Sequence, residues 1–127
     1  MNRLLGRLLL VVALSVAPVA AQAQFMDVNS IVAGIGGRDF LTAVERLDSS
    51  ADVRVVRLST LNGAELYRER LARAVASKPR DIYHLQSSIR LNPMAIWAVR
   101  NAGTSIEQIV ALQASGDGAV ILFADDL

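Results

Sequence analysis

Any chemistry this chain performs must draw on few reactive side chains, since it holds one histidine and no cysteine. His84 follows Asp81 by three positions and precedes Ser88 by four, so on a helix the three would share one stripe. A carboxylate, an imidazole and a hydroxyl are the parts of a hydrolytic triad. Side chains on one straight helix project side by side, however, whereas a nucleophile needs its base to approach from another direction. The stripe is therefore read as the polar margin of a helix, with His84 a surface or rim residue.

Metal and cofactor chemistry lack parts as well. Asp117, Asp125 and Asp126 are hard oxygen ligands, but they lack the alternating aspartates and distant glutamate of a calcium hand. They read as a turn aspartate and a solvated tail. The glycines of Gly34-Ile35-Gly36-Gly37 fit neither a phosphate loop nor a dinucleotide fingerprint, and there is no Gly-x-Ser-x-Gly elbow. No catalytic, metal or cofactor residue is nominated, and a non-enzymatic protein is expected.

What remains is recognition, and the first question is where it takes place. Arg3 and Arg7 precede an apolar run from Leu8 to Ala17, which is too short for the roughly 20 residues that span a bilayer. Pro18 breaks the run, and Ala21-Gln22-Ala23 supplies the small residues a signal peptidase accepts. Residues 1–23 are expected to be a signal peptide, leaving Gln24 first and no transmembrane span. The location is then periplasmic or secreted. Without Arg3 and Arg7 the balance of 13 cations to 12 acids reverses, which argues against nucleic acid as a partner.

The remaining charge is uneven. Arg54, Arg57, Arg68, Arg70, Arg73, Lys78 and Arg80 face only Glu65 and Glu69 over 54–80, while acids outnumber Arg90 and Arg100 over 81–127. The basic half could meet an anionic surface, or its arginines could simply be solvated helix faces paired with the acidic half.

The elements that would carry these residues follow from periodicity and punctuation. Residues 24–37 read as a linker with one helical turn at most. Phe40, Val44 and Leu47 mark a helix over 39–47 capped by Asp39, and the β-branched stretch 53–58 marks a strand. Asn62 and Glu65 suggest a capping box for a helix over 63–77, with Arg68, Arg70 and Arg73 on its solvent side. Pro79 opens a helix reaching Leu91 with Ile82, Leu85 and Ile89 inward, and Asn92-Pro93 ends it and caps the next, over 94–102. Gly103 closes that helix, and Thr104 with Glu107 suggests a further capping box. Two apolar runs then flank Asp117-Gly118, a strong hairpin signal.

The order helix, Asn92-Pro93, helix, Gly103, Ser105-Ile106-Glu107-Gln108-Ile109-Val110-Ala111 and the Gly116-Asp117-Gly118 turn resembles a class of small exported Gram-negative bacterial proteins of unknown function. The resemblance covers about the last half of the chain. It implies the topology and an envelope location, and carries no activity or site residue with it.

The expected fold is a single α+β domain over 38–127, helix-strand-helix-helix-helix-hairpin, with a three-stranded sheet covered by helices. In the last strand Ile121 and Phe123 oppose Val120 and Leu122, so both faces are apolar and both require cover. The helix over 39–47 or the segment 25–35 could supply it, as could a partner or a second copy of the chain. Arg68, Arg70, Arg73, Val120 and Leu122 are therefore the candidate interaction surface, with Met94 and Trp97 either core or an exposed anchor. The expected function is recognition of an envelope protein or an anionic envelope component. The alternative is a small carrier holding an apolar ligand between sheet and helices.

Overall fold

The last strand in sequence order lies in the middle of the sheet. A computed structural model describes residues 27–127; the expected signal segment and its cleavage point fall outside them. Among the described residues five helices and three strands follow one another as α1 (Val28–Gly34), α2 (Arg38–Ser49), β1 (Val53–Arg57), α3 (Arg68–Ser77), α4 (Pro79–Arg90), α5 (Pro93–Asn101), β2 (Ile109–Ala114) and β3 (Val120–Ala124). Single 3-10 turns occupy Leu58–Thr60 and Ile106–Gln108. The sheet order is β1-β3-β2, with β1 parallel and β2 antiparallel to β3. This is the expected α+β domain with one more helix at its start.

The composition of β3 explains its place. Val53 and Ala114 flank Val120, and Val55 and Leu112 flank Leu122, so these six share one face. Ile121 and Phe123 lie on the other, with Arg54, Gln113, Val56 and Ala111. A strand apolar on both faces belongs where neighbours and helices cover both, and all five residues of β3 are buried. Each of its larger side chains contributes about 1.5–3 kcal/mol by leaving water. β2 packs on α2, α4 and α1, and β1 packs on α5. In the hairpin turn Asp117 Oδ1 accepts from the Ala119 amide at 3.2 Å, and Gly118 adopts φ 89, which a side chain would oppose.

Residues 27–35 are not a linker. Asp27 caps α1 through the Ser30 amide at 2.8 Å, and Val28, Ile31, Val32 and Ile35 enter the core. The hydrogen bond to the Ser30 amide favours the charged form of Asp27 and holds its pKa below the usual carboxylate value. Three expected caps shift in register. Gly37, not Asp39, is the N-cap of α2, and Asp39 sits in its first turn, where a negative charge complements the helix dipole. α3 begins at Arg68, after turns over 63–67, and Glu65 accepts from Arg68 at 2.8 Å. The capping box after α5 pairs Ser105 with Gln108, whose Oε1 accepts from the Ser105 amide at 2.9 Å.

At the α4–α5 corner one polar side chain makes four hydrogen bonds. Asn92 Oδ1 accepts from the amides of Met94 and Ala95 at 3.0 and 3.2 Å, as its place before Pro93 suggests. Its Nδ2 also donates to the carbonyls of Leu47 and Ser50 at 2.6 and 3.2 Å. One buried amide thus starts α5 and closes α2.

Candidate functional site

The three candidate arginines of α3 meet different fates. Arg68 pairs with Glu65 at 2.8 Å, one turn away and largely exposed, a contact worth little in water. Arg70 donates to Asn29 Oδ1 of α1 at 2.7 Å and so ties the two helices together. Arg73 is exposed and meets no carboxylate among the described residues. Of the three, only Arg68 is paired with a carboxylate, and only Arg73 makes neither an ion pair nor a hydrogen bond to another described residue. Elsewhere Arg90 reaches Glu107 at 3.4 Å, a pairing within the acidic stretch 81–127 and not between the two halves.

Val120 and Leu122 are completely buried, so neither can be offered to a partner by this fold. Both faces of β3 are covered from within the chain, which removes the reason for nominating them. The exposed apolar residues lie elsewhere. Met94 is 48% and Trp97 62% exposed, and their spacing of three on α5 makes them surface neighbours. Leu91, 83% exposed, precedes them across the Asn92-Pro93 corner. Trp97 is thus on the surface, because the opposite stripe of α5, Ala95, Ala98 and Val99, faces inward.

A second surface feature runs beside β2, at the opposite edge of the sheet from β1 and α5. An open trough of about 630 Å³ lies between α2 and this strand, with Asp39, Phe40 and Arg46 on one wall and Leu112 and Ala114 on the other. Gly34 of α1 lines it too. Beneath it is a pit of about 30 Å³ lined by Ile31, Phe40 and Phe123, room for about one water.

The polar groups singled out as reactive are dispersed. Asp81 lies against the α1–α2 turn, where a Cβ on Gly36 would come within 2.8 Å of its Oδ2. His84 is exposed and lines a groove of about 290 Å³ with Asp48, Ser87 and Ser88, but no hydrogen bond joins it to any described residue. An imidazole with neither an orienting carboxylate nor a bonded hydroxyl lacks the geometry of a base. The three acidic residues of the C-terminal stretch are likewise apart. Asp117 belongs to the hairpin turn, Asp125 Oδ1 accepts from the Leu127 amide at 3.2 Å, and Asp126 accepts from Ser59. Burial alone would raise the pKa of Asp126, but the Ser59 hydroxyl and amide, at 2.5 and 2.9 Å, outweigh it and hold the carboxyl below its usual range. Among the described residues no group of three His, Asp or Glu side chains could hold a metal ion, and no helix is long and apolar enough to cross a membrane.

The trough escaped the sequence because its walls come from residues about 70 positions apart, which no local spacing brings together. Gly34 was the one available signal, a small residue at the end of a helix. No family model, curated protein or solved structure matches the chain.

Proposed function

We propose that this is a non-enzymatic exported protein that acts by recognising another protein of the cell envelope. The observation that supports this is the exposed pair Trp97 and Met94 on α5. Tryptophan is enriched among the residues that dominate binding energy, because a large rigid ring gains much area at little entropic cost. The signal-like segment 1–23 supports an encounter in the periplasm or outside the cell. A photo-crosslinking residue at Trp97, introduced in cells, is expected to give one defined adduct in the envelope fraction, absent when the same residue replaces exposed Arg80. Indiscriminate adducts at both positions would sink the reading. The location is tested separately by reading the amino terminus of the purified protein, where Met1 in place of Gln24 would overturn it.

A second reading, an anionic envelope component as partner, is favoured by Arg73, whose charge no described carboxylate neutralises. Replacing Arg68, Arg70 and Arg73 with glutamine should release the protein from envelope fractions and abolish the salt dependence of its retention. Retention unchanged by both charge and salt would remove this reading.

A further inference from the structure

We infer that the trough beside β2 is a seat for an extended peptide, which adds to the sheet as a fourth strand alongside β2. The direction of the backbone groups carries the argument. The Ser115 amide donates to the Ala119 carbonyl at 2.8 Å across the hairpin, whereas the Val120 amide turns the other way, to Asp52 at 3.0 Å. Alternation along an antiparallel pair then points the N–H and C=O groups of Ala111 and Gln113 toward β3. Those of Leu112 and Ala114 point to the open edge. On that same edge Gln86 Nε2 of α4 covers the Ile109 carbonyl at 3.2 Å. No described group bonds the outward amides and carbonyls of Leu112 and Ala114. Two donor–acceptor pairs two residues apart are what an added strand pairs with, and backbone hydrogen bonds supply affinity in strand addition.

The walls select the occupant. A second copy of this chain would approach with its own β2, whose outer edge is flanked by its own α2, and two such walls cannot share one trough. A single extended segment has no such burden. Its charge is set by α2, where Asp39 and Arg46 lie about 10 Å apart along the helix. The Ser50 hydroxyl reaches the Gly118 carbonyl at 3.4 Å, so α2 runs toward the hairpin turn and Arg46 lies toward the Ala114 end. The fitting segment is cationic near Asp39, acidic near Arg46, and carries one small apolar side chain over the pit formed by Ile31, Phe40 and Phe123. This surface is distinct from the Trp97 face, since α5 packs on β1 at the other edge of the sheet.

The test is a nuclear magnetic resonance titration of the isotope-labelled protein with a synthetic peptide of about eight residues. The peptide alternates valine and threonine, with lysine near one end and glutamate near the other. Amide shifts confined to residues 111–115 and the facing side of α2 are expected. The same peptide N-methylated at alternate residues should not bind. Ala114→Pro removes an outward donor at an edge position where proline is tolerated, and Gly34→Phe fills open space, since a Cβ there meets nothing within 4 Å. Each should weaken binding at least about tenfold, with circular dichroism unchanged in Gly34→Phe, while Trp97→Ala leaves peptide affinity as it was. Absence of binding at millimolar peptide, equal binding of the methylated peptide, shifts centred on Trp97, or dimerisation through β2 would each overturn the proposal.

Discussion

Asn92 offers the sharpest check on how this fold is held together, because its two roles respond oppositely to one substitution. If it only starts α5, then Asn92→Asp should be nearly neutral, since aspartate and asparagine cap equally well, and Asn92→Ala should cost about 1 kcal/mol. The structure requires more. With alanine, the Ser50 carbonyl loses its hydrogen bond and the Leu47 carbonyl keeps only the Ser50 amide at 3.3 Å. An acceptor left unpaired away from water costs about 1–3 kcal/mol, so the total is about 2–4 kcal/mol. For Asp the cap survives, but a carboxylate replaces the donor against two carbonyls at the negative end of the α2 dipole. Asn92→Asp should therefore destabilise at least as much as Asn92→Ala at neutral pH, and recover part of the loss on acidification as the carboxyl becomes a donor. In a domain of about 100 residues, 2–4 kcal/mol lowers Tm by roughly 10–25 °C. Urea unfolding followed by circular dichroism measures both variants. An Asn92→Asp protein as stable as wild type would refute the claim that this side chain closes α2.

Three further outcomes follow from the same geometry. Gly103→Ala should cost about 1–2 kcal/mol, because Gly103 has φ 72 and an added Cβ would come within 2.9 Å of Arg57 Nη2, which bonds the Ala102 carbonyl; Gly34→Ala, into open space at a helix end, should cost nothing. The stabilisation from Asp126 is present above the usual carboxylate range and lost as pH falls through its lowered folded pKa, so wild type should lose stability faster than Asp126→Asn below about pH 4, by under about 1 kcal/mol at this partly exposed site. Trp97, the single tryptophan, should emit at the long wavelength of a hydrated indole and be readily quenched by acrylamide, while Trp97→Ala changes stability by less than about 0.5 kcal/mol; a blue, protected emission would contradict its exposure.

The local signals in the sequence carried the local structure. The Asp-Gly turn, the Asn-Pro corner and the β-branched stretch 53–58 each act within a few residues, and each element formed where its signal stood, the strand ending one residue early at Arg57. α1 was legible in principle, since Val28, Ile31, Val32 and Ile35 stand at i, i+3, i+4 and i+7, but the stripe spans only two turns and runs into Gly34, Gly36 and Gly37, which punctuate it like a linker. The pairing of β1 with β3 joins positions 67 apart in sequence, and nothing in either strand names its partner. The apolar faces of β3 were legible, but their cover was not, so Val120 and Leu122 could be read as surface until strand order made them core. Of the candidate arginines, only the identity was legible; which one stays uncommitted depends on Asn29 and Glu65. The same limit applied to Asn92, whose cap on α5 is local and whose hold on α2 spans 45 residues.

The central position of β3 has a consequence for the timing of folding. Ribosomes deliver this chain from its amino end, and β1 has no partner in the sheet until β3 arrives after every other described element. Up to that point the emerging polypeptide has its helices, β1 and β2 but lacks the strand with which both of the others pair. The strand order thus makes closure of the sheet wait for β3, the last described strand, to enter between the other two.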